Sequence, residues 1–110
     1  MTQEKIMIVT GVSPDGVDPI LEAIASAGGG IVGDYTHCAF TNDGFGRFKP
    51  STSAQPHVGD IDAVNKEAEV RIETFCPRAI GKQVVQAIRE AHPYEEPVIY
   101  IIPLLSEDDL

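Results

Sequence analysis

The sequence contains one pattern of residues twice, with the second copy 64 positions after the first. Three positions of a strand-like stretch match, and so do five positions of the helix-like stretch that follows it. The matched pairs are Ile6 with Val70, Ile8 with Ile72, Thr10 with Thr74, Ile20 with Val84, Leu21 with Val85, Ala23 with Ala87, Ile24 with Ile88 and Ala27 with Ala91. Each copy is therefore predicted to be a strand followed by a helix, with one buried face.

Two such units, each followed by a further strand, predict the order β-α-β-β-α-β, the ferredoxin-like arrangement of the α+β class. Right-handed crossovers then place both helices on one face of a four-stranded antiparallel sheet. The expected elements are a first strand at 5–12, a first helix from Gly16 to a glycine cap at Gly28, a second strand within 31–40, a third strand at 70–76, a second helix at 78–91 that ends at His92 in register with Gly28, and a last strand at 98–102.

A long excursion is expected between the second and third strands. Residues 41–50 contain two glycines and are interpreted as the arm of a hairpin or as an extended segment, and 51–60 as a loop. Residues 63–70 either begin the third strand or form a short helical turn. The last strand is apolar on both sides, which indicates that the sheet face opposite the helices is covered. We expect this cover to come from self-association through that face or through an edge.

Length and charge restrict what the folded chain contacts. The 110 residues are predicted to form one domain, 1–110, with a frayed acidic tail at 106–110. A net charge of −9 argues against binding to nucleic acids or to anionic membrane surfaces. No apolar run is long enough to span a bilayer, and residues 1–5 lack the features of a signal peptide. Two cysteines without a CxxC motif form no disulfide framework, so a cytoplasmic location is predicted.

The stretch between the second helix and the last strand contains a histidine and two carboxylates, His92, Glu95 and Glu96. Together with His37 and Cys38 from the second-strand region, they are the candidate metal ligands. Imidazole, thiolate and carboxylate groups are ligands of first-row metals, so zinc or copper is the metal expected. The structural alternative is that His92 caps the helix end while the two carboxylates accept hydrogen bonds in the turn.

Arg47 and Lys49 are the clearest positive pair in this acidic chain and, with Tyr94, are the candidate residues for binding a small ligand. The glycines before Lys49 resemble a phosphate loop only superficially, because no helical pattern follows them. A strand that packs through Phe45 and Phe48 is the alternative explanation of this stretch.

No residue is assigned a catalytic role from the sequence. Cys38 and Cys76 are interpreted as small buried hydrophobic residues. In an antiparallel pair of the second and third strands their positions can lie at the same end of the ladder, and the sequence leaves their distance open. Arg71 and Glu73 are interpreted as a charge pair across strands on a solvated face.

Five stretches of the sequence, taken together and in order, carry a family resemblance. They are Tyr35–Phe40, Gly44–Pro50, Val58–Gly59, Glu69–Glu73 and His92–Pro97. They closely resemble the insert domain of YqfO-type proteins, which belong to the Ngg-one-interacting-factor-three-like family, often labelled GTP cyclohydrolase I type II-like. The resemblance runs from Lys5 to Leu104. It implies a ferredoxin-like domain similar to the CutA and PII regulators, which associate as trimers.

In the full-length family, the insert sits between two halves of a larger domain that supplies a dinuclear metal site. This sequence contains no counterpart of those halves, so the resemblance carries over neither the ligands of that site nor a hydrolase activity. The preferred prediction is a non-enzymatic module that forms a homo-oligomer, a trimer, and binds a small ligand or a divalent metal at clefts between subunits.

Two other functions are weighed against this prediction. One is an accessory or cap module that acts in trans with a dinuclear-metal hydrolase partner. The other is an enzyme in its own right, which would require His37, His92 and Glu95 to converge in the folded chain.

Overall fold

The computed structural model describes residues 4–110; Met1–Gln3, part of the N-terminal segment assessed for a signal peptide, lie outside the described residues. The strands and helices are β1 Lys5–Val12, α1 Val17–Ser26, β2 Phe40–Phe48, β3 Asn65–Pro77, α2 Gly81–Ala91 and β4 Ile99–Leu104. Short 3-10 turns occur at Pro14–Gly16, Arg78–Ile80 and Glu107–Asp109. Within residues 4–110, neither helix is long and apolar enough to cross a bilayer. The order of elements is the predicted β-α-β-β-α-β.

The four strands form one antiparallel sheet in the order β2-β3-β1-β4. The central pair, β1 and β3, consists of the strands of the two repeat copies. Their register places Ile8 opposite Thr74 and Thr10 opposite Ile72. Paired residues of an antiparallel sheet point to the same face, so the repeat aligns the buried faces of both copies.

Both helices pack on that face of the sheet. The buried cluster comprises Ile6, Ile8, Val12, Ile20, Ile24, Ile72, Cys76, Val84 and Ile88. It takes apolar residues from β1, β3, α1 and α2, so the two repeat copies share one hydrophobic core. The predicted ferredoxin-like α+β fold is confirmed.

The predicted position of the second strand is wrong. Residues 31–37 are exposed, and Val32 and Tyr35 bond each other in a tight turn instead of pairing with β3. Gly30 and Gly33 have φ values of +70° and +53°, a left-handed conformation that interrupts an extended strand. The strand forms at Phe40–Phe48, where pairing with β3 overrides the low strand propensity of its polar residues and glycines.

The interpretation of 41–50 as the arm of a hairpin is correct, because β2 and β3 pair directly across the loop that joins them. The third strand begins at Asn65, so residues 63–70 contain the start of a strand and not a short helical turn. Arg71 and Glu73 do form an ion pair, with 2.7 Å between Nη1 and Oε1, but it runs along β3 and not across strands.

The sheet face opposite the helices carries exposed apolar side chains. Tyr100 and Ile102 of β4 lie opposite Val9 and Met7 of β1 and are 61% and 39% exposed. Phe40, at the start of β2, is 61% exposed on the same face. A single chain therefore leaves uncovered the face that the sequence predicts to be covered.

Candidate functional site

A cavity of about 520 Å³ lies between the end of β2, the loop that follows it and the segment before β4. Its lining includes Arg47, Lys49, His57, Glu69, Tyr94, Glu95 and Glu96. All three residues predicted to bind a small ligand line this cavity. They come from parts of the sequence more than 40 positions apart, and the fold brings them together.

Tyr94 forms one wall of the cavity and is held by its neighbours. Its ring stands edge-on to His92 with 4.7 Å between ring centroids, and the His57 ring lies at 6.0 Å. Burial raises the pKa of the Tyr94 hydroxyl, and the nearby carboxylate of Glu69 raises it further. The hydroxyl therefore stays protonated at neutral pH and can donate a hydrogen bond to a ligand.

His92 is buried behind Tyr94 and has a structural role. Its Nδ1 accepts a hydrogen bond from the Tyr94 amide at 3.2 Å, and Nε2 lies 2.9 Å from the carbonyl oxygen of Gly11. The amide donor requires a lone pair on Nδ1, so the proton lies on Nε2, which donates to Gly11. Both ring nitrogens are thus occupied. His92 has a structural role, but its ring joins the end of α2 to β1 and does not cap the helix as the structural alternative predicted.

Glu95 fastens the long loop to the segment before β4. Its Oε1 accepts a hydrogen bond from the Gln55 amide at 3.0 Å. This contact closes one side of the cavity by joining two loops that are far apart in the sequence. Glu95 therefore accepts a hydrogen bond, as predicted for the two carboxylates of the turn, but the donor lies in a different loop.

Two functional candidates, Glu69 and His57, were missed by the sequence analysis. The Glu69 side chain lies against Gly11 and Gly46, where a Cβ at either position would collide with its carboxylate. Burial raises the pKa of this carboxyl group, and among residues 4–110 it has no hydrogen-bond or ion-pair partner. In the sequence, the two glycines are the local sign of this arrangement. They belong to β1 and β2, which are far apart in the sequence, so no local pattern shows that both contact Glu69.

His57 joins the loop to the start of α1. Its Nε2 lies 3.6 Å from the Asp15 carboxylate, whose pKa is lowered chiefly by a hydrogen bond from the Ser13 hydroxyl. The sequence places His57 in a loop with no periodicity, so nothing local indicates that it faces Tyr94.

The remaining predicted metal ligands, His37 and Cys38, lie in a different loop and do not line the cavity. His37 has a left-handed backbone, with φ of 59°, and its Nε2 lies 3.5 Å from Glu22 of α1. The Cys38 amide donates a hydrogen bond to the Gly30 carbonyl oxygen, and the Cys38 carbonyl oxygen accepts one from the Thr74 hydroxyl. Both cysteines are free thiols.

Within the described residues, no three His, Cys, Asp or Glu side chains are grouped to hold a metal ion. The five predicted ligands are therefore not assembled into one site by a single chain. The predicted zinc or copper site stays a prediction.

We expect replacement of His92 by glutamine to lower the free energy of unfolding at pH 7.5 by about 1–3 kcal/mol. The reason is that the Gly11 carbonyl and the Tyr94 amide then lose their hydrogen bonds to the imidazole ring. Burial lowers the pKa of His92, with the Gly11 carbonyl opposing and His57 adding to this effect. The unfolded state therefore binds the proton more readily, and wild-type stability falls as pH drops below the ordinary value of about 6.5. Denaturant unfolding between pH 5 and 8 should show the wild-type advantage shrinking as the pH falls. Parallel curves for the two proteins would contradict this assignment.

The chain is similar in sequence to several known proteins. No family model matches the sequence. The chain is 39% identical over 87 residues to the GTP cyclohydrolase 1 type 2 homolog of Bacillus subtilis, covering 79% of this chain and 23% of that protein. It is 34% identical over 108 residues to the protein of the same name from Halalkalibacterium halodurans, covering 98% and 29%. The chain thus spans about a quarter of the length of the curated relatives it matches.

Solved structures agree with the sequence comparison. A Bacillus cereus protein related to NIF3 superposes with a TM-score of 0.83 at 31% identity, covering 96% of this chain and 27% of that one. CutA from Synechococcus elongatus PCC7942 superposes with a TM-score of 0.69 at 15% identity, covering 94% and 80%. The second likeness shows a shared fold alone. The chain is therefore similar to one segment of the GTP cyclohydrolase 1 type 2 homologs and of the NIF3-related protein, and it has the fold of the CutA proteins.

Proposed function

We propose that the chain is a self-associating module that binds a small anionic molecule in the cavity beside Tyr94. The observation that carries the proposal is the convergence of Arg47, Lys49 and Tyr94 on one cavity of about 520 Å³. A guanidinium and an ammonium group bind carboxylates or phosphates, and a phenol wall offers an apolar face together with a hydrogen-bond donor.

The carboxylates of the cavity narrow the ligand further. Glu69, Glu95 and Glu96 line the same space, so a multiply charged anion would meet repulsion there. A ligand with one anionic group and an aromatic or polar body fits this lining better. The proposal assigns the cavity a binding role and no catalytic one. A divalent metal stays an alternative ligand for a site shared between copies.

The proposal is tested with benzoate as the probe, because benzoate combines one carboxylate with an aromatic ring. In an NMR titration of the labelled chain, we expect shifts centred on residues 47–58 and 94–98. Arg47→Ala should weaken binding by about tenfold or more, since a hydrogen bond to a charged group is worth about 1.5–3 kcal/mol. Lys66→Ala is the matched control, because Lys66 lies over the Phe45 ring at 4.4 Å and does not line the cavity. Shifts elsewhere, or equal affinity in the Arg47 variant, would overturn the assignment.

Self-association is supported by the uncovered apolar sheet face. Tyr100, Ile102 and Phe40 expose a set of large apolar side chains on one surface, which is the usual mark of an interaction site. We propose a cyclic trimer. The apolar sheet face and the strand edges on both sides of the sheet are different surfaces, so copies can pack through them around an axis.

Light scattering at micromolar concentration should give three times the mass of one chain. A variant with Tyr100→Glu and Ile102→Glu should shift the mass towards the monomer, because it places charges in the buried contact. The matched control carries Val32→Glu and Val64→Glu; both residues are exposed and lie outside the four strands. A strictly monomeric wild-type chain would refute the proposed self-association.

A second candidate function is that of an accessory module that works in trans with a metal-dependent hydrolase partner. The observation in its favour is that the curated relatives carry this segment within a protein about four times as long. Affinity purification of the tagged chain from its own cells should then recover a hydrolase-type protein in a fixed ratio to the chain. Recovery of this chain alone would remove the candidate.

A further inference from the structure

A second groove, of about 510 Å³, lies on the helix side of the sheet between α2 and β4. Its lining comprises Ile6, Arg78, Gly81, Lys82, Val85, Gln86, Arg89, Ile101 and Pro103. The floor is apolar and the rim carries three cations, while the lining contains no carboxylate. It is separate from the cavity at Tyr94 and from the open sheet face.

The charge of this groove is unusual for the chain. The protein has eight Lys and Arg residues against 17 Asp and Glu, yet three of the eight line this groove. Their spacing of four and seven residues places them on one side of α2 and its preceding turn. Arg78 bonds Glu4 at 2.8 Å, whereas Lys82 and Arg89 form no ion pair among residues 4–110. An occupant of the groove must therefore be acidic and must also carry apolar side chains.

The segment that follows β4 has that composition. Glu107, Asp108 and Asp109 are consecutive and form a 3-10 turn, which is closed by bonds between Ser106 and the Asp109 carboxylate. This segment is the acidic tail that the sequence predicts to be frayed. Leu105 and Leu110 flank the turn and are 79% and 95% exposed, so their own chain does not cover them.

The segment does not lie in the groove of its own chain, because none of residues 105–110 belongs to the lining. Pro103 lines the groove and β4 ends at Leu104, one residue later, so the acidic segment follows directly on a strand that forms part of the groove. We propose that residues 105–110 of one copy dock in the α2–β4 groove of a second copy. In this arrangement the acidic turn faces Lys82 and Arg89, and the leucines cover Val85 and Ile101. The contact joins two different surfaces, so it can repeat around a ring.

This inference rests on the proposed self-association. Charge-reversal variants distinguish the groove contact from self-association through the sheet face. A chain with Lys82→Glu and Arg89→Glu should self-associate about tenfold more weakly or worse, because like charges then face each other across the contact. Adding Glu107→Lys and Asp108→Lys to that chain should restore association. The fourfold variant has the same net charge as the wild type, so the rescue reports on pairing and not on overall charge.

A second measurement uses the unmodified sequence. Carbodiimide treatment of an equal mixture of ¹⁵N-labelled and unlabelled chains should give amide cross-links between Lys82 and Glu107 or Asp108. Mass spectrometry should show these cross-links between labelled and unlabelled peptides. Cross-links within single chains only, or none, would overturn the proposal.

The remaining outcomes are also decisive. If the Lys82→Glu, Arg89→Glu variant associates as strongly as the wild type, the groove contact is overturned. Self-association through the sheet face would then still stand. A fourfold variant that stays dissociated would also overturn it. A monomeric wild-type chain would remove both proposals together, whereas the benzoate titration at Tyr94 would remain valid in every case.

Discussion

The pairing of β1 with β3 is the interaction on which the rest of the structure depends. These strands belong to the two repeat copies, and their register puts the alternating apolar residues of both on one face. On that face α1 and α2 bury their apolar sides together, with Ile24 and Ile88 at equivalent positions in the shared core. The outer strands β2 and β4 then pair with the two free edges of this central pair.

The candidate ligand cavity depends on one contact made by that central pair. His92 bonds the Gly11 carbonyl of β1 and the Tyr94 amide at once, so the segment after α2 is held over the end of the sheet. Tyr94 packs on the His92 ring and faces the loop after β2. The residue that looks most like a metal ligand in the sequence is thus used to position the residue that lines the cavity. A buried, fully bonded histidine is the less conspicuous but physically sufficient explanation of the motif.

Two exposed surfaces of the described residues differ in kind. The open sheet face presents apolar side chains, while the α2–β4 groove combines an apolar floor with Lys82 and Arg89, which form no ion pair among residues 4–110, in a chain of net charge −9. The acidic segment after β4 has the opposite charge and carries exposed leucines. In the proposed assembly of copies, the sheet face provides apolar burial and the groove provides charge pairing.

The sequence alone determined the fold class, the buried faces and the approximate ends of both helices, because strand and helix periodicity record which side of an element meets the core. It also selected Arg47, Lys49 and Tyr94 as one group. Only the tertiary structure decided that β2 forms at Phe40–Phe48, since that strand exists through its partner β3 and not through its own propensity. The same holds for Glu69 and His57 beside Tyr94: distant segments converge there through packing, which no local pattern in the chain encodes.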